Sequence, residues 1–262
     1  MESTAHPIID CHFHPALEPG DDTGWFIPSG DIQHQIDTLR RCGITRTCGS
    51  LIRRFDPESF GEIRILNDGA LALRDRFPEF YEPGVHVHPR FPEESCREVE
   101  RCCGENGVRW IGELVGYMMG YGEDYTTPDA LTIMRKAQDI GAVVNFHCGS
   151  LDIIDTLCTE VPDLPLVLAH PGNGKDVIQG RLELVARHPN LHLDISGTGI
   201  DRYGIVRTAV DTAGADKLVF GSDYPINNPA VYVHGLPLEP LTENELSAIF
   251  HGNFLRLLST TT

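Results

Sequence analysis

Lysine is nearly absent from this chain: it occurs three times in 262 residues, at Lys136, Lys175 and Lys217. Bases of all kinds number 21 against 38 acids, a formal charge of -17 at pH 7. Such a surface repels polyanions over long range, so neither nucleic acid nor an anionic membrane is expected as a partner. No apolar run approaches the ~20 residues that a membrane-spanning helix requires, and no apolar signal segment opens the sequence. The eight cysteines include no Cys-x-x-Cys pair. Reduced thiols in a cytoplasmic setting are the expectation from these absences. Also missing is a Gly-x-Gly-x-x-Gly loop after the first apolar run, which an open nucleotide-binding sheet would usually carry there.

What the chain does have is a regular alternation. A hydrophobic fraction of 41% suffices for one sizeable core. Short apolar or β-branched runs recur at 8–14, 44–51, 80–88, 108–115, 141–148, 164–170, 191–197 and 217–223. Between them lie segments of helical periodicity, such as Ile32, Ile36 and Leu39 in the first. Eight strand-plus-helix units in this length predict an α/β fold, a single (β/α)8 barrel of parallel strands with outer helices spanning 1–262. Three connections, 15–30, 117–128 and 224–241, are long enough to shape a pocket at the catalytic face.

Metal-ligand residues stand at the ends of these apolar runs: His12 and His14, Glu113, His147, His170 and Asp223. On a strand, His12 and His14 leave the same face ~6.6 Å apart along the backbone, near enough to converge on one ion. A lone His-x-His is more often a surface pair, and a lone strand-end histidine more often a hydrogen-bonded core residue. Their recurrence at successive strand ends reverses that preference. A carboxylate within a buried strand is costly unless paired or coordinated, which singles out Glu113 and Asp223. Arg53, Arg54 and Arg90 stand near strand ends as candidate anion clamps, and His88 is the candidate substrate contact beside a structural His86.

The motifs Asp10-Cys11-His12-Phe13-His14-Pro15, Gly112-Glu113-Leu114, His147, His170-Pro171-Gly172 and Phe220-Gly221-Ser222-Asp223-Tyr224-Pro225 together resemble the amidohydrolase superfamily, and within it the amidohydrolase-2 branch. That branch includes aminocarboxymuconate semialdehyde decarboxylase, resorcylate-type decarboxylases and pyrone-dicarboxylate lactonase. The resemblance extends over the whole chain, to Leu191–Gly197 and the closing Gly252–Leu258.

The resemblance implies a divalent metal on His12, His14, His147 and Asp223, with His170 beside the metal-bound water. Some branches bridge two metals with a carbamylated strand-four lysine, and none of the three lysines stands on the fourth run. Glu113 stands there instead, either bridging two ions with His147 and His170 on the second, or supporting one. Zinc is the default metal for such ligands, and manganese and iron also suit them. The activity expected first is hydrolysis of an ester, lactone or amide bond in a small carboxylated metabolite by metal-activated water, with Asp223 and His170 as catalytic residues. The alternative is a non-oxidative decarboxylase with the same ligands. A small-molecule substrate and a homo-oligomer complete the expectation.

Overall fold

The computed structural model describes residues 6–17 and 31–259. Eight parallel strands follow one another around the sheet in chain order: β1 (Ile8–Asp10), β2 (Ile44–Gly49), β3 (Tyr81–Val85), β4 (Trp110–Leu114), β5 (Val143–Phe146), β6 (Leu166–Ala169), β7 (Leu191–Asp194) and β8 (Leu218–Val219). Each lies within one of the eight apolar runs. Just beyond β8 the last strand meets the first and closes the barrel. Cys11 N–H donates to the Phe220 carbonyl (2.9 Å), Asp223 N–H to that of His12 (2.8 Å) and His14 N–H to that of Tyr224 (2.8 Å).

Helices return the chain between strands, α1 (Ile32–Arg41), α2 (Phe60–Arg76), α3 (Pro92–Val99), α4 (Pro128–Ile140), α5 (Leu151–Glu160), α6 (Lys175–Arg187) and α7 (Ile205–Ala213), and α8 (Pro229–Gly235), α9 (Glu243–Ser247) and α10 (Asn253–Ser259) follow β8. Their starts are written in the sequence. The Asp31 side chain caps α1, Ser59 and Glu62 form a capping box on α2, and Thr127 caps α4 with Pro128 in the first turn. In α1 the buried residues Ile32, Gln35, Ile36 and Leu39 share one stripe, so the helix has a single face to cover. No helix among the described residues is long and apolar enough to cross a membrane.

Two apolar clusters hold the barrel. The larger fills the space between strands and helices. The smaller gathers Ile9, Cys11, Cys48, Trp110, Val143, Val167 and Val219 from six strands together with Phe254 and Leu257 of α10. Residues from strands all round the sheet meet one another only inside the barrel, so α10 supplies apolar side chains to its interior packing. Trp110 and Phe254 lie 5.4 Å apart, ring to ring. All eight cysteines are free thiols.

The pocket-shaping connections differ from expectation. Most of 15–30 lies outside the described residues. The connection 224–241 carries a helix, α8, started by Pro229 behind an Asn228 cap. The connection 117–128 is tied down: Tyr125 donates its hydroxyl to the Leu114 and His147 carbonyls (2.8 and 2.9 Å).

Candidate metal centre

The six ligand-type residues come together at one end of the barrel. Glu113 is inside β4, His12 and His14 follow β1, His147 follows β5, His170 follows β6 and Asp223 follows β8. His170 and Asp223 take left-handed backbone angles, φ 66° and 55°. For a residue with a side chain that conformation costs on the order of 1–3 kcal/mol, and it concentrates at functional positions.

The imidazole tautomers follow from the hydrogen bonds. His12 Nδ1 faces the Asp194 carboxylate in a very short contact, and His14 Nδ1 donates to the Ser50 carbonyl at 3.0 Å. Both Nε2 atoms are thereby left with lone pairs. They face each other at 2.9 Å, an arrangement that is repulsive unless one of them carries a proton or both share a cation. Glu113 Oε2 stands 3.2 and 3.3 Å from the two, and Asp223 Oδ1 3.5 and 3.6 Å. Donors ~2.0–2.1 Å from a single tetrahedral ion lie about 3.3 Å from one another. The histidine pair with either carboxylate therefore fits a divalent cation in both charge and spacing.

The electrostatics carry the same demand. Burial alone would lower the His12 pKa, but the Asp194 and Glu113 carboxylates hold it well above the usual imidazole value. Burial would likewise raise Glu113, yet His12 and the contacts with His14 and His147 hold it well below the usual carboxylate range. The cluster needs a positive charge, and an ion supplies it without protonating a ligand.

A second group of donors meets the other Glu113 oxygen. Oε1 is buried without a hydrogen-bond donor and faces His147 Nδ1 at 3.3 Å and His170 Nε2 at 3.6 Å. Burial lowers the His170 pKa, and its Nδ1 lies 3.0 Å from the Ser196 hydroxyl and 3.2 Å from the Ser196 carbonyl. Neutral His170 thus offers Nε2 toward Glu113. The donor groups close enough to share an ion are His12 with His14 and Asp223, and His12 with Glu113 and His170. His147 reaches the cluster through Glu113, with its side chain 29% exposed to the cleft.

Glycine makes room at one critical point. Gly197 has φ 57°, and a Cβ there would stand 2.4 Å from His170 Nδ1 and 2.9 Å from Asp223 Oδ2. Asn227 donates to that same Asp223 oxygen at 2.8 Å. Above the cluster opens a cleft of about 510 Å³. Ile52, Val115, Met118 and Ile226 form apolar walls, Tyr117 and Tyr232 aromatic ones, and Arg202 is the cation among its lining residues.

The expected substrate contacts need correcting. His88 is fully buried, donating from Nε2 to the Met119 carbonyl (2.8 Å) and accepting from Arg90 N–H at Nδ1 (3.1 Å). Both ring nitrogens are committed to holding loops. Arg90 pairs with Asp56 (2.7 Å) and donates to the Pro57 carbonyl (2.9 Å), a tie between connections. Arg53 and Arg54 lie over the rings of Phe55 and Tyr117 and do not line the cleft. His86 is structural as expected, its Nε2 2.7 Å from the Leu51 carbonyl. Asp10, on the same run as the histidine pair, accepts from His12 N–H, Ser222 N–H and the Ser222 hydroxyl, and so anchors the segment after β8. Asp194, Ser196, Asn227, Arg202 and Tyr232 join the site without having been expected there from sequence. Asp194 carried a usable signal, a carboxylate ending a buried apolar run.

Fold and site together define a (β/α)8 barrel with a buried imidazole–carboxylate centre that supports a divalent metal. A family model described as amidohydrolase matches residues 9–259, and the chain belongs to that family. No curated protein sequence matches it. Among solved structures it is similar to a dihydroxybenzoic acid decarboxylase from Polaromonas sp. JS666 with bound manganese and the inhibitor 2-nitroresorcinol, at 17% identity and TM-score 0.78, over 98% of either chain. It is also similar to 5-carboxyvanillate decarboxylase from Sphingomonas paucimobilis (15% identity, TM-score 0.76, 98% of this chain and 99% of that one). An uncharacterised TIM-barrel protein from Bordetella bronchiseptica matches at 19% identity and TM-score 0.75, over 97% of this chain and 99% of that one. At these identities the likeness is one of fold.

Proposed function

We propose that this protein is a metal-dependent, non-oxidative decarboxylase of a small hydroxylated aromatic carboxylate. The observation that carries the reading is a cleft whose floor carries Glu113, His147, His170 and Asp223, next to the buried His12–His14 pair, with walls of Tyr117, Tyr232, Ile52, Met118 and Ile226. Such walls suit a flat ring with its polar substituents turned to the floor. The decarboxylases among the similar structures support this reading over the hydrolysis expected from sequence, and the manganese bound in one of them ranks manganese ahead of zinc.

In this proposal His12, His14, Glu113 and Asp223 hold the ion, with His147 and His170 completing the site. A bound divalent ion supplies positive charge that polarises the substrate's carboxylate and phenolic oxygens. Asp194 and the Ser50 carbonyl fix the tautomers of the histidine pair. Asp223, steadied by Asn227, takes the proton that the substrate's phenol gives up on binding and passes it to the ring carbon that bears the carboxylate. The bond to that carboxylate then breaks, its electron pair returns to the ring, and carbon dioxide leaves. Burial keeps His170 neutral and able to accept a proton at Nε2. Arg202, a cation lining the cleft, would meet an anionic or hydroxyl substituent at the substrate's distal end.

Hydrolysis remains the second reading because of Glu113, whose two oxygens face separate donor groups, as a carboxylate bridging two ions would. One experiment separates the two. Manganese-loaded protein is assayed on hydroxybenzoates and on aryl esters and lactones in deuterated and in 18O-labelled water. Carbon dioxide with one deuterium placed on the ring supports decarboxylation. Incorporation of 18O without carbon dioxide would replace it with hydrolysis. Metal content of the wild type beside Glu113→Gln bears on the same question: two ions falling to one or none favours the bridge, and one ion unaffected favours a supporting Glu113.

A further inference from the structure

Arg181 is a buried guanidinium in the middle of α6, 4% exposed, and the chemistry described so far does not use it. Its three hydrogen-bond partners are all backbone carbonyls: Nη1 donates to Ala169 (3.0 Å) and His170 (2.6 Å), and Nη2 to Cys148 (2.6 Å). Two of these belong to the segments that carry the ligand-type histidines beyond β5 and β6. Cys148 directly follows His147, and His170 is itself one of the six. Among the described residues no carboxylate lies within ion-pair distance of Arg181. A buried charge hydrogen-bonded only to neutral carbonyls, with the Glu123 carboxylate acting on it from beyond ion-pair distance, is costly to keep, so its retention calls for a reason.

The surroundings are shaped to it. Gly172, with φ 99°, lies in the turn after His170, and a Cβ there would come 3.3 Å from Arg181 Nε and 3.4 Å from Cζ. At the same β5 turn, the Glu123 carboxylate accepts from the Gly149 N–H and, at 3.2 Å, from the Ser150 N–H. The segment Cys148-Gly149-Ser150 is thus gripped at its carbonyl by a cation and at its N–H groups by an anion. His170 keeps its left-handed backbone while its own carbonyl is held by the same fork that holds Cys148.

We propose that Arg181 is a positioning residue for the metal centre: one planar fork locks the turns bearing His147 and His170 to each other and so sets the spacing of those two imidazoles about Glu113. This inference rests on the metal site and not on which reaction the site performs. A lysine at this position has no planar fork and cannot hold the carbonyls of both turns in the same geometry.

The test is cobalt titration of chelator-stripped protein, followed by visible absorption and by competition with a chelator, for wild type, Arg181→Lys and Arg181→Met. Asn253→Ala serves as the structural control, because Asn253 donates only to the Ala215 and Leu218 carbonyls beside β8. The expected result is a changed cobalt spectrum and binding weakened by about 10–100-fold in both Arg181 variants, the range typical for removing a group that orients a ligand. Asn253→Ala should lower the unfolding midpoint and leave the spectrum alone. If Arg181→Met fails to fold, Arg181→Lys decides. A folded Arg181→Lys with the wild-type spectrum and affinity would overturn the proposal, and so would an equal spectral change in Asn253→Ala. Failure to decarboxylate hydroxybenzoates would sink the functional reading while leaving this result intact.

Discussion

Single atoms decide whether the centre holds a cation, and two substitutions address them. The contact of Asp194 with His12 Nδ1 keeps Nε2 free and makes the ring a stronger donor. Asp194→Asn keeps the shape and removes the charge, so metal affinity should fall by about 10–100-fold, read by competition with a chelator. Unchanged affinity would mean that the Asp194 contact does not tune the site. Gly197→Ala puts a methyl where His170 Nδ1 and Asp223 Oδ2 already stand. Turnover should drop more than tenfold, whereas the left-handed φ adds a stability loss on the order of 1 kcal/mol. The six donors were legible in sequence because each is a charged or imidazole group ending an apolar run, where burial without a partner is expensive. His88 fits the same pattern and is not a cleft residue. The distinction lies in the direction of its ring and the loop carbonyl it meets, which no linear pattern encodes. Arg202 was illegible for the opposite reason. It sits in the Gly-rich stretch 197–204, which has no periodicity to say which side of the chain faces the cleft.

Elements carry the donors, so the barrel's packing fixes their spacing. The strands were legible from alternation alone, since parallel strands covered on both faces read as unbroken apolar runs. The ends were less so: β8 is a ladder of two residues, Leu218 and Val219, and the run continues as irregular chain to Asp223. That irregularity is what allows Asp223 its left-handed turn toward the histidines. The helix within 224–241 begins at an Asn-Pro pair, which reads equally well as a turn. Interior packing depends on α10 as well, through Phe254, 1% exposed against Trp110. Phe254→Ala should cost about 3–5 kcal/mol, the usual range for emptying an aromatic site in a core. Denaturant unfolding measures the loss, and metal affinity below the transition should stay at the wild-type value because no donor touches Phe254. Weakened binding in the folded variant would show that packing at α10 is transmitted to the centre.

Over the whole molecule, acidification acts in opposing directions, and the sign of each can be assigned. Burial drives His192 and His86 down to about 4, so both rings fold neutral, while in the unfolded chain they titrate near 6.5. Their contribution is complete above pH 6.5 and is lost as pH falls from 6.5 toward 4, because the unfolded chain then binds the extra protons. Other effects run the other way, His12 with its raised pKa among them. Burial pushes Asp10 up to about 7, which favours the folded state as pH falls. Protonating carboxylates also relieves the self-repulsion of a chain carrying -17, a long-range effect screened beyond about 8 Å at physiological salt. The wild-type profile therefore mixes signs, and the comparison that isolates one of them is with His192→Gln. Between pH 7.5 and 5 the variant lacks the His192 loss, about 2 kcal/mol for the 1.5 units titrated below 6.5. Urea unfolding of chelator-stripped protein at both pH values should show the wild type losing that much more than the variant. Parallel profiles would mean that His192 is protonated in the folded state too, and that its burial in β7 does not exclude the charge.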